Sequence, residues 1–203
     1  MDTQNLNKLL IMNNITYIEN KEFDGLNSTE QKFIKAEYEN CVFVNCNFSN
    51  TDLSGFIFAD CEFENCDLSM AKLRDTILRN IKFKNCKLLG LNFYDCNDFI
   101  LSFYFENCVL NFASFFKLKL KNIIFNECRL EGTDFSETDL TGSKFDNCDL
   151  SQAIFENTIL EKADFSTSHN FRIDPEKNQI KKAKFSVHGL EGLLMKYNIV
   201  VEG

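Results

Sequence analysis

The stretch TDFSETDLTGSKFDNCDLSQAIF, residues 133–155, decides the fold of this chain. A large apolar residue recurs in it at every fifth position, as Phe135, Leu140, Phe145, Leu150 and Phe155. A spacing of five fits neither the 3.6-residue period of a helix nor the two-residue period of an ordinary strand. Each unit must therefore be one short extended segment followed by a corner, so that the chain turns after every five residues.

The same spacing extends outward from this stretch and forms two blocks. Thirteen units have their central residues from Phe33 to Phe93, and thirteen more run from Phe105 to Phe165 with Phe and Leu in strict alternation. Internal repetition of this length is typical of a solenoid, in which each repeat packs on its neighbours. We therefore predict an all-β stack of coils with one hydrophobic interior.

The positions around each central residue support this interpretation. Eight of the nine cysteines lie two residues before a central residue, and Cys96 continues the same five-residue register just after Phe93. A side chain at this position points inward beside Phe and has to be small. The position two after the central residue is most often Asn, Gly or Asp, which tolerate a left-handed corner. The cysteines are therefore predicted to be core residues, and we expect neither disulfides nor a metal site from them.

Charged residues indicate how many repeats make one coil. Adjacent coils stack about 4.8 Å apart, so residues one coil apart are expected to carry opposite charges. A spacing of twenty residues pairs Asp52 with Lys72 and Lys117 with Glu137, whereas a spacing of fifteen pairs Lys72 with Lys87. Four repeats per coil is the interpretation that the charges favour.

Single units such as Thr133-Asp134-Phe135-Ser136-Glu137 and Ala163-Asp164-Phe165-Ser166-Thr167 resemble the repeat of the pentapeptide-repeat protein family. That repeat is a small residue, Asp or Asn, Leu or Phe, a polar residue and a variable one. The resemblance implies a right-handed quadrilateral β-helix with four repeats per coil and small terminal caps. We predict an N-terminal cap at 1–30, the β-helix at 31–167, and at 168–203 a C-terminal cap or dimerisation segment with a short helix near 191–197.

Two segments resemble, more narrowly, the quinolone-resistance members of that family. They are Cys66-Asp67-Leu68-Ser69-Met70-Ala71 and a tail with Leu193-Leu194-Met195 followed by Ile199-Val200-Val201. This resemblance implies a protein that binds DNA gyrase or topoisomerase IV and forms a homodimer through its C-terminal segment. The alternative that stays open is a structural or stress-related β-helical scaffold with another protein partner.

The register of the repeat shifts by two residues between Phe93 and Phe105, which places a frame break at about 97–104. This segment is strongly apolar, and an apolar projection from a regular rod is a candidate contact surface. The alternative is a two-residue bulge whose side chains still fill the core. The predicted partner-contact residues are Phe99, Ile100, Leu101, Phe103 and Tyr104.

The C-terminal segment is too apolar to be left in water, and we expect it to cap the last coil, to pair two chains, or to do both. The residues predicted for this cap or dimer contact are Leu190, Leu193, Leu194, Met195, Tyr197, Ile199 and Val201.

Other functional classes find little support in the composition. His169 and His188 have no catalytic motif around them, so we predict no catalytic, cofactor-binding or metal-binding residue and no enzyme. A pI near 4.9 argues against direct binding to nucleic acid. Residues 72–130 nevertheless carry ten basic and five acidic side chains, which interrupts the acidic surface that DNA mimicry would need. With no export signal and no membrane-spanning run, we expect a cytoplasmic protein that does not bind membranes.

Overall fold

The computed structural model describes residues 16–200, which form one continuous parallel β-solenoid with a small helical element at its C-terminal end. We number its four sides in the order in which the chain passes them. Face 1 contains a four-stranded parallel sheet made of β1 (Thr16–Glu19), β3 (Ala36–Glu39), β5 (Ile57–Ala59) and β7 (Ile77–Arg79).

Face 2 contains a nine-stranded parallel sheet that runs the length of the rod. Nine strands correspond to eight coil-to-coil steps, or about 38 Å at the usual strand spacing. In chain order these strands are β2 (Glu22–Asp24), β4 (Val42–Val44), β6 (Glu62–Glu64), β8 (Ile81–Lys84), β9 (Phe103–Glu106), β10 (Ile124–Asn126), β11 (Lys144–Asp146), β12 (Asp164–Phe165) and β13 (Lys184–Phe185).

Faces 3 and 4 are held by isolated parallel bridges instead of longer strands. Asp67 pairs with Lys87 on face 3, and Asp52 pairs with Lys72 on face 4. These pairs and Phe43 with Phe63 on face 2 are twenty residues apart. The four-repeat coil predicted from the charges is therefore confirmed.

The strict Phe and Leu alternation has a structural explanation. With four repeats per coil, it places Phe on the opposite faces 2 and 4 and Leu on faces 1 and 3. Face 2 has an unbroken interior column of nine phenylalanines, and ring centroids one coil apart, such as those of Phe105 and Phe125, lie 5.2 Å from each other. The Phe columns of faces 2 and 4 meet edge to face, as Phe125 and Phe135 do at 5.8 Å.

The small inward residues also hold successive coils together. The Thr138 hydroxyl donates to the Phe115 carbonyl of the preceding coil over 2.8 Å, and the Cys148 thiol donates to the Phe125 carbonyl over 3.4 Å. Six cysteines form one column on consecutive coils: Cys46, Cys66, Cys86, Cys108, Cys128 and Cys148. Burial raises the pKa of the Cys61 thiol to about 12, which keeps that thiol protonated and able to donate.

The stack is longer than the predicted 31–167 at both ends. Strand β1 already pairs with β3, and β13 pairs with β12, so the coils extend from residue 16 to residue 185. The short helix predicted near 191–197 is present as α1 (Glu191–Leu194), between the 3-10 turns Val187–Gly189 and Met195–Tyr197. Ile199 and Val200 are not in a strand, and residues 1–15 and 201–203, including Val201, lie outside the described part.

Charged side chains pair between coils, though often diagonally. Lys117 and Glu137 form the predicted pair at 3.5 Å, whereas Lys84 reaches Glu62 at 2.9 Å instead of its direct neighbour. The side chains of both pairs are at least partly exposed, so each pair contributes little to stability and mainly supports the register.

Candidate interaction surface

Exposed large apolar side chains concentrate in two regions, the middle of the rod and the C-terminal segment. We call residues 70–130 the central band; it also carries the net charge of +5 noted above. An apolar and basic girdle on an otherwise acidic rod is the most distinctive surface of the molecule. Its exposed large apolar residues are Met70, Leu89, Tyr94, Phe99, Ile100, Phe112 and Ile124.

The frame break occupies one corner of the central band. Phe83 of β8 lies opposite Phe105 of β9, a step of 22 residues where every other step on face 2 is twenty. The two additional residues are accommodated where the chain turns from face 1 to face 2. The side chains of Phe99 and Ile100 there are 75% and 55% exposed.

The backbone of Ile100 is strained. Its φ is +73°, in the left-handed region that a β-branched residue rarely occupies. The corresponding corners of the neighbouring coils carry Asn80 and Asn122, which tolerate this conformation. Ile100 therefore presents an apolar side chain to solvent at a cost in stability.

The five residues predicted to contact a partner divide into two groups. Phe99 and Ile100 are exposed, and Tyr104 is partly exposed on face 2, where burial and the nearby Glu106 raise its pKa. Leu101 packs against the core, and Phe103 is buried with its ring 5.2 Å from that of Phe93. Including Phe103 among the contact residues was wrong, because its inward position in the repeat turns the side chain away from solvent.

A second apolar feature of the central band escaped the sequence analysis. Met70 and Phe112 occupy corner positions with φ of +57° and +59°, and their side chains are largely exposed. Each lies over a glycine of the next coil, Met70 over Gly90 and Phe112 over Gly132. The sequence did contain a signal for this feature, because Met70 and Phe112 are bulky residues at positions that usually hold Asn or Gly.

Face 4 carries an aromatic pair within the central band. The rings of Tyr94 and Phe116 lie 6.4 Å apart in an edge-to-face arrangement, and the Lys117 ammonium lies 4.6 Å from the centre of the Phe116 ring. Tyr94 is exposed and Phe116 is partly buried. This pair extends the apolar surface from the corner onto a flat side of the rod.

The C-terminal cap is only partly packed on the rod. Of the residues predicted for the cap or dimer contact, Leu193 packs against the core and Leu194 is half-buried. The remaining described ones, Leu190, Met195, Tyr197 and Ile199, are exposed, as is the neighbouring Val200. The segment thus both covers the last coil and presents an apolar surface.

One cation anchors this cap to the last coil. The Lys196 ammonium contacts Asp174 at 2.6 Å and Glu176 at 2.7 Å, and the Tyr197 hydroxyl donates to Glu176 over 2.9 Å. The hydrogen bonds from Lys196 hold the pKa of both carboxyl groups below their usual range. The cap is therefore fastened by charge as well as by apolar packing.

Both histidines line a cleft of about 590 Å³ beneath the cap. His169 lies 4.0 Å from Asp149, but the nearby Ser151 hydroxyl donates to that same carboxylate, and the Ser168 hydroxyl donates to the Phe145 carbonyl. Neither serine is placed as a nucleophile activated by histidine. Across residues 16–200 no three His, Cys, Asp or Glu side chains group as metal ligands would. No helix in that range is long and apolar enough to cross a membrane.

Comparisons with known proteins agree with this architecture. A model described as a pentapeptide repeat region matches residues 100–185, and a model of eight pentapeptide repeats matches 29–60 and 41–80. A search of curated protein sequences finds no match.

Solved structures of QnrB1, a plasmid-mediated fluoroquinolone resistance protein, have a similar fold. A trypsin-treated variant of it aligns with a TM-score of 0.59 at 24% identity, covering 93% of this chain and 98% of that one. The full-length form aligns with a TM-score of 0.51 at 21% identity, covering 90% and 100%. Family models over both repeat blocks, together with the observed four-repeat coil, show that the chain belongs to the pentapeptide-repeat family.

Proposed function

We propose that this protein is a non-catalytic interaction scaffold that binds a type II topoisomerase, DNA gyrase or topoisomerase IV, and protects it from quinolones. The observation that carries the proposal is the exposed, strained corner at Phe99 and Ile100 in the central band. The fold similarity to QnrB1 along nearly the whole chain supports a quinolone-resistance role.

The strain at Ile100 favours a binding role for this corner. Replacing Asn by a β-branched residue in a left-handed corner costs on the order of 1 kcal/mol. The exposed Ile100 side chain returns little of that through packing in the free protein. Contact with a partner would bury Phe99 and Ile100 and offset the cost.

The charge pattern favours contact through this corner over imitation of DNA. A duplex presents continuous negative charge, whereas the basic residues of the central band interrupt the acidic rod. A partner that binds the rod would therefore contact the apolar and cationic groups of the central band.

We further propose that the C-terminal segment forms a homodimer contact. The exposed Met195, Tyr197, Ile199 and Val200 lie together at the end of the chain, where a second copy would remove them from water. A cytoplasmic protein would meet its topoisomerase partner directly.

A gyrase supercoiling assay with purified protein, with and without ciprofloxacin, tests the proposed function. We expect the wild-type protein to restore supercoiling in the presence of the drug at low stoichiometry. The Phe99→Ser/Ile100→Asn variant should lose most of this protection while its thermal stability is kept or improved.

Ile154→Thr is the matched control, since it removes an exposed apolar side chain outside the central band and should protect as the wild type does. Absence of any effect of the wild-type protein, even in large excess, would reject the topoisomerase partner. The protein would then be a scaffold for another partner.

A further inference from the structure

Four consecutive coils of face 4, from that of Lys72 to that of Asp134, are complementary to the same coils of a second copy that runs in the opposite direction. From one coil to the next, the central outward position of this face holds Asp52, Lys72, Asn92, Ser114, Asp134 and Ile154. The coils of Asn92 and Ser114 also carry the aromatic pair Tyr94 and Phe116. Lys72 and Asp134 thus stand at equal distances on either side of a polar and aromatic centre.

Two copies of a flat face can pack against each other about a two-fold axis. When the axis crosses the rod, the rods run antiparallel: lateral position on the face is kept and the order of the coils is reversed. With the axis between the coils of Asn92 and Ser114, Lys72 of one copy faces Asp134 of the other. Tyr94 likewise faces Phe116.

A parallel pairing of the same faces has the opposite outcome. It would set each residue against its own copy, so that Lys72 meets Lys72 and Asp134 meets Asp134. Like charges held face to face repel each other, and the antiparallel arrangement avoids this. Electrostatics therefore selects one orientation.

The two charges are available for such a contact. Neither Lys72 nor Asp134 takes part in an ion pair among residues 16–200. The neighbouring Arg74 has Asp75 at 4.0 Å, and Lys117 has Glu137 at 3.5 Å. Asp52 lies one coil from Lys72 on the same face, but no ion pair joins the two among residues 16–200. Lys72 and Asp134 can therefore each contact a second copy.

We propose that face 4 pairs with face 4 of a second copy of this chain, antiparallel, with two Lys72–Asp134 pairs around a Tyr94 and Phe116 centre. This contact is separate from the proposed C-terminal one and does not depend on topoisomerase binding. A face about 10 Å wide and 38 Å long covers about 400 Å² in projection, which is small for a stable interface. We therefore expect a dissociation constant on the order of 10–100 µM.

Sedimentation velocity of the full chain between 5 and 500 µM tests the proposal. All variants carry Ile199→Asp, which removes the C-terminal apolar contact. The parent should dimerise, and either Lys72→Asp or Asp134→Lys should weaken the dimer at least tenfold because each homodimer then sets like charges together.

Restoring the opposite charges at positions 72 and 134 tests whether these two positions meet across the interface or whether net charge alone controls dimerisation. An equimolar mixture of the Lys72→Asp chain and the Asp134→Lys chain should dimerise again, as should the double variant. The two positions are three coils apart within one chain, about 14 Å, so restoration has to come from a second copy. Thermal unfolding of each single variant shows whether it is folded.

A parent that stays monomeric at 500 µM would overturn the proposal. So would single variants that dimerise like the parent, or a mixture of folded variants that fails to associate.

Discussion

The coils after residue 130 and the central band are built from the same five-residue unit, yet they follow it to different degrees. In the later coils Phe and Leu alternate in the interior. The inward hydroxyls there donate hydrogen bonds to backbone carbonyls of the preceding coil, as in Thr133, Thr138 and Thr158. In the central band Ile100, Met70 and Phe112 occupy corners that favour Asn or Gly. The regular coils maximise stability, whereas the central band gives up some stability to present apolar side chains.

The largest difference is expected in the free energy of unfolding, between substitution of a core phenylalanine and substitution of a corner phenylalanine. Phe125 is fully buried, with ring centroids 5.2 Å from Phe105 and 5.0 Å from Phe145. Phe125→Ala should lower the free energy of unfolding by about 3–5 kcal/mol, because it leaves a cavity in the aromatic column. Phe112→Ala should change it by less than about 1 kcal/mol. Urea denaturation followed by circular dichroism measures both, and equal effects would contradict the distinction.

The next contrast is between equivalent corners one coil apart. Ile100→Asn should raise the free energy of unfolding by about 1 kcal/mol, since Asn adopts a positive φ more readily than a β-branched residue does. Asn122→Ile is the reverse change and should lower it by about 1–2 kcal/mol. Thermal melts of both variants test the pair, and a destabilised Ile100→Asn variant would show that Ile100 contributes packing instead of strain.

A smaller effect is expected from one hydroxyl in the regular coils. Thr138→Val keeps the shape of the side chain but removes the hydrogen bond to the Phe115 carbonyl, so it should cost about 1 kcal/mol. The control Thr141→Val removes a partly exposed hydroxyl bound to Asp139 and should cost less. A larger loss from the control would mean that the turn bonds matter more than those between coils.

The smallest effect concerns the pH dependence of the C-terminal cap. The folded pKa values of Asp174 and Glu176 lie below their ordinary values, so their pairing with Lys196 stabilises the cap above about pH 4. That contribution is lost as the pH falls through the lowered values. Limited proteolysis with pepsin at pH 4 and below should release the C-terminal segment progressively as the pH is lowered.

Lys196→Met serves as the control for this pH dependence, because it removes the cation and should leave only the pH profile of pepsin itself, measured on an unfolded substrate. The same pH profile in the variant and the wild type would assign the effect to other carboxyl groups.

The position of the candidate site could be predicted from the sequence, but the full set of its exposed residues could not. The two-residue shift between Phe93 and Phe105 indicated where the repeat is interrupted, and Phe99 and Ile100 are exposed there. Phe103 was misassigned because an apolar run does not show which of its members resumes the inward register. Met70 and Phe112 were missed because each looks like an ordinary apolar residue until the corner column is traced.

The sequence by itself determined the five-residue unit, the four-unit coil and the inward columns, because these follow from local spacing and from charges twenty residues apart. Only the tertiary structure decided which apolar residues are exposed and that the coils extend from residue 16 to residue 185. It also decided that neither Lys72 nor Asp134, which lie on the same face, has an ion-pair partner among residues 16–200. These properties depend on contacts between coils, and such contacts exist only once the chain has closed its turns and stacked.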